Sequence, residues 1–389
     1  MKTLFLVAGE ASADQHAASI VRELKERFPD IRLLGIGGPA LRAEGMECIV
    51  DSNQVDVVGI TEVFSRFSEL RSGYVRLKKC IREESIDAAL LIDLPDLNLM
   101  IARHLKAAGI PVAYFVSPQV WVWRRYRIHK IKNRVDRMLV LFPFEQEFYQ
   151  KYRVPCDFVG HPLVDAIHLH AVERTVEERL KAPRIAIVPG SRRSETAHHT
   201  HLLRDAISRL QRRYPKASFL CPIAKNLSET LLKEVFAGLP VVLTRQSLES
   251  VVASVDVSVT ASGTATLETA LVGTPQVMFY KVNRTTAWLF QLVTRYRTYF
   301  SLPNIVLQTA LIPEYLQQHA TGEALEHAVS ALLESDARRR EMCLGYDQIR
   351  TRLGRGGAAY QVARAVQKLL QPPSIPERGA RDGIAHPAT

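Results

Sequence analysis

The sequence predicts an α/β protein made of two doubly wound domains that face each other across a cleft. Short apolar runs such as Leu4–Ala8 and Ala88–Ile92 alternate with helix-length amphipathic segments, a pattern typical of a parallel sheet covered by helices on both faces. A charged stretch, roughly Leu169–Lys181, interrupts the pattern, which restarts at Arg184–Val188. Two such series in a chain of 389 residues indicate two domains.

The predicted strands follow the apolar runs in chain order. In the first series they are Leu4–Ala8, Arg32–Ile36, Ala88–Ile92, Val112–Val116 and Met138–Phe142, and in the second they are Arg184–Val188, Ala217–Cys221, Val241–Thr244, Val255–Thr260 and Gln276–Tyr280. After Thr321 the pattern is helical to about Leu370. The remaining segment, 371–389, is rich in Pro, Gly and Arg and is predicted to be disordered.

Composition favours an acidic partner and a reducing compartment. The formal net charge is +11, which suits nucleic acid, an anionic membrane or a phosphorylated ligand. The 5 cysteines are scattered and odd in number, as expected for reduced thiols in a cytosolic protein. The apolar N-terminus could pass for a signal peptide, but Glu10 interrupts it, so a first strand is preferred. No stretch approaches the ~18 apolar residues of a spanning helix, so membrane contact is expected to be peripheral.

Several common active-site motifs are missing from the sequence. There is no G-x-G-x-x-G, no G-x-x-x-x-G-K-[ST] and no G-x-S-x-G, which argues against a dinucleotide dehydrogenase, a P-loop enzyme and an ordinary α/β-hydrolase. His198, His199 and His201 are near neighbours, but we expect them on an exposed helix rather than at a metal. There is also no D-x-D, so we expect neither a metal nor a cofactor.

Two loops of the first series carry candidate carboxylates at strand ends. Glu10 ends the first strand, and Ser12 follows it, although a helix cap is an equal alternative for Ser12. Asp93, Asp96 and Asn98 follow the wholly apolar strand Ala88–Ile92, and helix capping needs only one of them. A carboxylate beside an apolar strand end is a plausible general base, because burial raises its pKa.

Three loops of the second series are suited to a nucleotide. The first loop, Val188–Glu195, and the second, Ala261–Glu268, each lead into a helix with small or basic residues, which suits a diphosphate. Glu268, one helical turn beyond Thr264, could accept hydrogen bonds from ribose hydroxyls. In the third loop, Ser301–Ile305, a polar Asn304 lies between a proline and apolar residues, which suggests a contact in the cleft. Solvated turns are the alternative for the first and third loops. The candidate residues are Gly190, Ser191, Arg192, Ser262, Gly263, Thr264, Glu268 and Asn304.

Two windows combine basic and aromatic residues. Trp121–Arg137 has seven Lys or Arg and one acid, and Thr269–Pro313 has no acid at all. Such windows suit an anionic membrane or nucleic acid, and the absence of a nucleic-acid signature favours the membrane. A solvated helix face with ordinary core aromatics is the alternative. The candidates for acceptor or membrane contact, together with Ser12 and Asn98, are Trp121, Trp123, Arg124, Trp288, Arg295 and Arg297.

Taken as an ordered set, these motifs resemble the lipid-A-disaccharide synthases. The resemblance runs from about Leu4 to Leu370, and one departure is Ala13, where the family usually has Gly. The motifs are Gly9-Glu10-Ala11-Ser12-x-Asp14, Gly35-x-Gly37-Gly38-Pro39, Asp93-x-Pro95-Asp96-x-Asn98, Ser117-Pro118-Gln119-Val120-Trp121-x-Trp123-Arg124, Phe142-Pro143-Phe144-Glu145, Gly160-His161-Pro162-Leu163, Pro189-Gly190-Ser191-Arg192, Ala261–Glu268 and Ser301-Leu302-Pro303-Asn304.

The resemblance implies a GT-B glycosyltransferase with an inverting mechanism. It would join UDP-2,3-diacylglucosamine to 2,3-diacylglucosamine 1-phosphate, giving a β-1,6 disaccharide and UDP, at the cytoplasmic face of the inner membrane. With the strand-end argument, it points to Asp96 as the base, with Glu10 or Asp93 next. We expect an acceptor-side domain at 1–168, a UDP-sugar domain at 182–345 and a helix at 346–370 that packs back on the first domain.

Two other readings remain open. Another GT-B enzyme of UDP-sugars, such as an epimerase or a peptidoglycan glycosyltransferase, would share the nucleotide loops, but the basic aromatic windows argue against a soluble epimerase. A non-catalytic protein that binds membrane or nucleic acid would share the positive charge. Asp96 and Glu268 argue against it, because acids in a basic cleft weaken polyanion binding. The sequence leaves open whether the protein is a monomer or a homodimer.

Overall fold

The structure is a computed structural model that describes residues 1–54, 67–121, 124–224, 227–282 and 299–371. It contains two sheets, and every strand pair whose register is given is parallel. The first has seven strands in the order β3-β2-β1-β4-β5-β6-β7, and the second has six in the order β10-β9-β8-β11-β12-β13. Both orders turn back at the first strand of the series, which is the doubly wound topology predicted from the sequence.

The strands of the first sheet are buried where they are central and partly exposed at the edges. All residues of β1 and β4 are buried, whereas β3 and β7 are mixed. The strands are β1 (Thr3–Ala8), β2 (Arg32–Gly37), β3 (Glu47–Asp51), β4 (Ala88–Ile92), β5 (Val112–Phe115), β6 (Arg137–Val140) and β7 (Cys156–Phe158). Five of them confirm predicted strands, and the two edge strands, β3 and β7, were not predicted.

The second sheet repeats this arrangement. Its strands are β8 (Arg184–Val188), β9 (Ser218–Pro222), β10 (Val241–Thr244), β11 (Val257–Ala261), β12 (Gln276–Tyr280) and β13 (Glu314–Leu316). β11 lies between β8 and β12, so the loops that follow these three strands leave the same edge of the sheet side by side. In α/β sheets this carboxyl edge is where ligands bind.

Helices connect the strands in both halves. In the first half they are α1 (Ala11–Lys25), α2 (Pro39–Ala43), α3 (Phe67–Glu83), α4 (Pro95–Ala107), α5 (Arg127–Arg134), α6 (Pro143–Lys151) and α7 (Pro162–Ala166). The others are α8 (Val176–Lys181), α9 (Arg193–Arg213), α10 (Glu229–Val235), α11 (Leu248–Ala253), α12 (Thr264–Val272), α13 (Leu302–Leu307), α14 (Gly322–Glu334), α15 (Asp336–Arg352) and α16 (Ala358–Leu370). Helix α8, in the predicted boundary stretch, begins at a capping box in which Thr175 and Glu178 hydrogen-bond each other's backbone N–H.

The chain divides into two compact units. One contains Met1–Ile92, Met100–Ala113 and the segment that begins at Ala363, and the other contains Asp93–Leu99 and Tyr114–Val362. The core of the second unit is built from the inward faces of its strands and helices, including Ile187 in β8, Val259 in β11 and Phe279 in β12. Rigid strands of this kind fix the positions of the loops that follow them.

Candidate active site

The segment after β4 has a backbone held in an unusual conformation. Asp93 and Leu94 both have positive φ, 52° and 40°, which L-residues rarely adopt. The Asp93 N–H donates to the Phe115 carbonyl at 3.0 Å. The Asp93 carbonyl accepts from the Tyr114 hydroxyl and, at 2.7 Å, from the Asn98 side-chain amide. Because tertiary contacts over-determine this turn, its strain is the kind often found at active sites.

The two carboxylates of this segment lie in different surroundings. Asp93 is partly buried, and burial raises the pKa of its carboxyl, opposed by a hydrogen bond from the Leu94 backbone. The Asp96 side chain is 77% exposed and pairs with the buried Arg127 and, at 3.4 Å, with Arg124. Asp93 therefore has the environment of a general base, whereas Asp96 compensates a buried cation. This result differs from the prediction from sequence, which favoured Asp96 as the base because it follows an apolar strand.

Two further predicted site residues, Asn98 and Trp121, are held in place by hydrogen bonds of their side chains. Asn98 is fully buried and directs its amide at the Asp93 carbonyl, so it shapes the turn rather than facing an acceptor. Trp121 donates from Nε1 to the Glu145 carboxylate at 3.3 Å and packs edge-on against Phe144. Burial raises the pKa of Glu145 to about 7, opposed by hydrogen bonds from the Phe142 N–H and from Trp121.

The loop between β1 and α1, with the first turn of α1, carries three polar side chains in different surroundings. Glu10 occupies the N-cap position of α1 and is partly buried, and Ser12 is exposed in the first turn. Asp14 is buried and accepts from the backbone N–H groups of Gly38, at 2.8 Å, Ala40, at 2.8 Å, and Leu41, at 3.2 Å. Asp14 thus caps α2, which explains its place in the motif.

The glycine motif at 35–38 is explained by close packing. A Cβ on Gly35, whose φ is 136°, would lie 2.1 Å from the Leu6 carbonyl oxygen. A Cβ on Gly38 would lie 2.7 Å from the Asp14 carboxylate. Both positions need glycine because the backbone or a capping carboxylate fills the space of a side chain. The motif therefore builds the fold of its unit.

The loops after β8 and β11 lie next to each other and expose backbone. Gly190 and Gly263 have φ of 109° and 147°, conformations that favour glycine. A Cβ on Gly263 would meet no atom within 4 Å, so the space over this residue is open. Helix α12 begins at the next residue, Thr264, and the N–H groups of a first helical turn have no partner within the helix. The arrangement suits a phosphate group.

Arg192 precedes α9 at the same edge of the sheet. Its side chain is 68% exposed and contacts the Glu195 carboxylate at 3.2 Å. The Arg192 carbonyl accepts from the N–H and the hydroxyl of Thr196, which fixes the start of α9. Ser191 is exposed in this loop and Ser262 is partly buried in the neighbouring one. The guanidinium is therefore solvent-exposed and paired with Glu195, while the backbone of Arg192 is anchored at the start of α9.

Glu268 and Asn304, both predicted nucleotide ligands, differ in how they are bonded. Burial raises the pKa of the half-buried Glu268, opposed by a hydrogen bond from the backbone of Glu249. Asn304 is 1% exposed, donates to the Ile312 carbonyl and the Glu314 carboxylate, and accepts from the N–H groups of Leu311 and Ile312. These bonds use both donors and both lone pairs of the amide. Asn304 is therefore left out of the nucleotide site proposed below.

His199 is a site residue that the sequence prediction missed. It was expected on an exposed helix face, but it is 0% exposed and hydrogen-bonds Pro189 and Lys281. The buried Thr196 and Leu203, three and four residues away on α9, show the helical spacing that could have indicated burial. The cluster of three histidines, His198, His199 and His201, looks polar as a whole, and this hides the apolar helical spacing on which His199 lies.

Some predicted contacts lie outside the described residues, namely Trp123, Trp288, Arg295 and Arg297. Within the described ranges, no helix is long and apolar enough to cross a membrane. Among the same residues, no group of three or more His, Cys, Asp or Glu could hold a metal ion.

Solved structures of similar fold define the class. UDP-GlcNAc 2-epimerase from Neisseria meningitidis, bound to UDP-GlcNAc, has a TM-score of 0.62 at 13% identity, covering 95% of this chain and 100% of that chain. The calicheamicin glycosyltransferase CalG4 has a TM-score of 0.58 at 14% identity, covering 95% and 98%. At these identities the likeness establishes the fold alone. The chain has the GT-B architecture of glycosyltransferases and sugar-nucleotide epimerases, confirming the predicted fold class.

The sequence comparisons narrow this class to one family. The lipid-A-disaccharide synthetase family matches residues 4–366, and the chain belongs to it. Lipid-A-disaccharide synthase of Geobacter metallireducens is 37% identical over 375 residues, covering 95% of this chain and 97% of the relative. That of Myxococcus xanthus is 38% identical over 375 residues, covering 95% and 98%. The chain is thus a hexosyltransferase of lipid A disaccharide synthesis, as the resemblance implied.

Proposed function

We propose that this chain transfers 2,3-diacylglucosamine from its UDP derivative to the 6-hydroxyl of 2,3-diacylglucosamine 1-phosphate, with inversion. The products are the β-1,6 disaccharide 1-phosphate and UDP. Membership of the family over residues 4–366 supports the reaction class. The observation that carries the assignment of the donor is the open backbone at Gly263, at the start of α12 and beside the loop that bears Arg192.

The donor's diphosphate is proposed to lie over Gly263. The first N–H groups of α12 and the positive end of its dipole would face the phosphate oxygens, and Arg192 would add a charge-assisted contact. Gly190 and Ser191 would complete the adjacent loop, and Glu268 would accept from ribose hydroxyls. As the bond to UDP breaks, the same donors would stabilise the negative charge on the leaving diphosphate.

The acceptor's proton is proposed to pass to a carboxylate of the Asp93–Asn98 turn. The sequence favoured Asp96, but its exposure and its pairing with Arg127 favour Asp93, whose pKa burial raises. Asp93 would take the proton of the 6-hydroxyl as this oxygen bonds to the donor's anomeric carbon. The bond from that carbon to the UDP oxygen breaks on the opposite face, which inverts the configuration. Glu10 remains the further candidate.

The reaction is tested by incubating the purified protein with both lipid substrates. We expect UDP release and a disaccharide 1-phosphate with a β-1,6 linkage, measured by coupled assay and by NMR of the product. UDP release without the acceptor would indicate hydrolysis instead of transfer. Turnover of UDP-GlcNAc to its C2 epimer, with no disaccharide, would assign the chain to the epimerase reading and overturn the proposal.

We also propose that the enzyme works at an anionic membrane surface, on the cytoplasmic face of the inner membrane. Support comes from the net charge of +11 and from the exposed face of α5 and the turn before it. Arg125, Lys130 and Lys132 are exposed there, and the Lys130 ammonium lies 5.5 Å from the ring centre of the exposed Tyr126. Basic residues near an anionic leaflet each contribute about 1 kcal/mol.

Liposome co-sedimentation tests this docking. Replacing Lys130 and Lys132 with Glu should reduce binding to anionic vesicles about tenfold or more, because two attractions become repulsions. The same change at the exposed Lys216 and Arg338 reverses equal charge and serves as the matched control. Equal loss in both pairs would mean that net charge alone matters. Equal binding to neutral and anionic vesicles would rule out electrostatic docking.

A further inference from the structure

A buried histidine connects two loops of the second sheet at its carboxyl edge. His199 lies on α9 with an exposure of 0%. Its Nδ1 is 2.8 Å from the Pro189 carbonyl, at the start of the Gly190–Arg192 loop. Its Nε2 is 3.3 Å from the backbone nitrogen of Lys281, just past the end of β12. Because β11 lies between β8 and β12, the ring spans the strand that leads to Gly263.

The partners of His199 fix its protonation state. A backbone N–H can only donate, so the Nε2 atom that faces Lys281 must be an unprotonated acceptor. A carbonyl can only accept, so the Nδ1 atom that faces Pro189 must carry hydrogen. Both requirements describe one species, the neutral imidazole with its proton on Nδ1. Burial lowers the pKa of His199, which favours this neutral form.

The groups that face the imidazole come from three elements. On α9, Glu195 raises the pKa of His199 and His198 lowers it, both by weaker effects than burial. On β12, the Phe279 ring packs edge-on at 4.9 Å between ring centres, and the Tyr280 ring lies at 6.0 Å. From the loop after β8 comes the Pro189 carbonyl, which accepts from Nδ1–H and opposes the effect of burial on the pKa of His199. Among the residues that the structure describes, no carboxylate is hydrogen-bonded to the ring, so a second proton has little compensation.

We propose that His199 is a positioning residue that holds the Gly190–Arg192 loop in its nucleotide-binding conformation and releases it on protonation. The proposal rests on the proposed nucleotide site, since Arg192 is the group whose position matters. In the neutral ring, one hydrogen bond anchors the loop and the other anchors the end of β12. When Nε2 takes a proton it can no longer accept, so the part-buried Lys281 bond is lost and two N–H groups face each other. The ring then moves away from Lys281 while its Nδ1–H stays bonded to Pro189, so the Pro189 carbonyl and the loop after it shift with the ring and UDP affinity falls in acid.

The substitution His199→Gln separates the hydrogen bonds from the titration. A glutamine amide can donate to Pro189 and accept from Lys281, but it does not titrate. His199→Phe keeps the ring volume and removes both bonds. His201→Gln is the matched control, because His201 is exposed two residues further along the same helix. Circular dichroism and thermal unfolding establish that each variant is folded.

Calorimetric titration with UDP from pH 5 to pH 8 provides the first measurement. Wild-type and His201→Gln affinities should fall in acid about tenfold more than that of His199→Gln, the value of one hydrogen bond. The ionisation of UDP itself affects all variants alike and cancels in this difference. His199→Phe should bind about tenfold more weakly than wild type at pH 8. Parallel pH profiles for wild type and His199→Gln, or full affinity in His199→Phe, would overturn the proposal.

Hydrogen–deuterium exchange gives a second measurement that does not depend on UDP. After correction for the intrinsic exchange rate at each pH, the peptide that contains the Lys281 amide should be less protected in His199→Phe at pH 8, and in wild type at pH 5, with His199→Gln protected at both. If no variant binds UDP yet this exchange pattern holds, the proposed nucleotide site is wrong, but the proposed role of His199 in anchoring the loop is supported. If UDP binds and exchange at Lys281 is unchanged in all variants, the proposed role of His199 is wrong, but the proposed nucleotide site is supported.

Discussion

The Asp93–Asn98 turn and the proposed nucleotide loops at Gly190–Arg192 and Ser262–Thr264 both follow buried strands, yet they are built differently. The turn relies on side chains, with a partly buried carboxylate and a strained backbone held by Tyr114. The proposed nucleotide loops rely on the backbone, with glycines at positive φ and the N–H groups at the start of α12. Side-chain chemistry suits proton transfer, and backbone N–H groups suit binding of an anion.

This contrast predicts that substitutions in the turn act on turnover and those in the loops act on affinity. The largest expected effect is that of Asp93→Asn, which should lower kcat about 10²–10⁴-fold with little change in UDP affinity. The pH profile of the wild type should lose activity as acid protonates the base, at a pH above the ordinary range of an aspartate because burial raises the pKa of Asp93. Steady-state kinetics across pH measures both.

Asp96→Asn is the matched comparison within the same turn. It leaves the carboxylate of Asp93 in place and removes only the charge that pairs with Arg127, so we expect a stability loss of about 1 kcal/mol and a modest drop in kcat. A loss of 10²–10⁴-fold in this variant, with near wild-type turnover in Asp93→Asn, would reverse the assignment and restore the prediction made from the sequence.

The next largest effect concerns the nucleotide loops. Arg192→Ala removes a charge-assisted contact to phosphate and Glu268→Ala removes an acceptor for the ribose, so each should weaken UDP binding by about 1.5–3 kcal/mol. Calorimetric titration measures this. Arg193→Ala is the control, because Arg193 is the next, equally charged and exposed residue. Unchanged affinity in both Arg192→Ala and Glu268→Ala would refute the site.

The last prediction concerns stability rather than activity, at the buried Glu145. Its pKa is about 7 in the folded protein and near 4.5 in the unfolded chain, so the folded state binds the extra proton between these values. Stability should therefore fall as pH rises from 4.5 to 7, by up to about 3 kcal/mol. Glu145→Gln should remove this slope in urea unfolding, whereas the exposed Glu147→Gln should keep it. An identical slope in both variants would show that Glu145 does not titrate there.

The sequence predicted the central strands and one edge strand, Val241–Thr244, but missed the other three edge strands. Runs such as Ala88–Ile92 are apolar at every position because both faces of a central parallel strand are covered. The edge strands Glu47–Asp51, Cys156–Phe158 and Glu314–Leu316 are short and partly exposed, so their sequences lack that pattern. Local composition cannot indicate them, because their hydrogen bonds come from the neighbouring strand.

The sequence by itself determined where the central strands lie along the chain, which loops hold the candidate site, and to which family the chain belongs. These depend on local patterns: apolar runs, glycines at strand ends and motifs in a fixed order. Only the tertiary structure decided which of Asp93 and Asp96 is buried, that the Asn304 amide bonds to the backbone and to Glu314, and that His199 is buried. Burial and hydrogen-bond partners come from residues distant in the chain, such as Arg127 for Asp96 and Lys281 for His199, and a pKa follows from those surroundings rather than from the residue type.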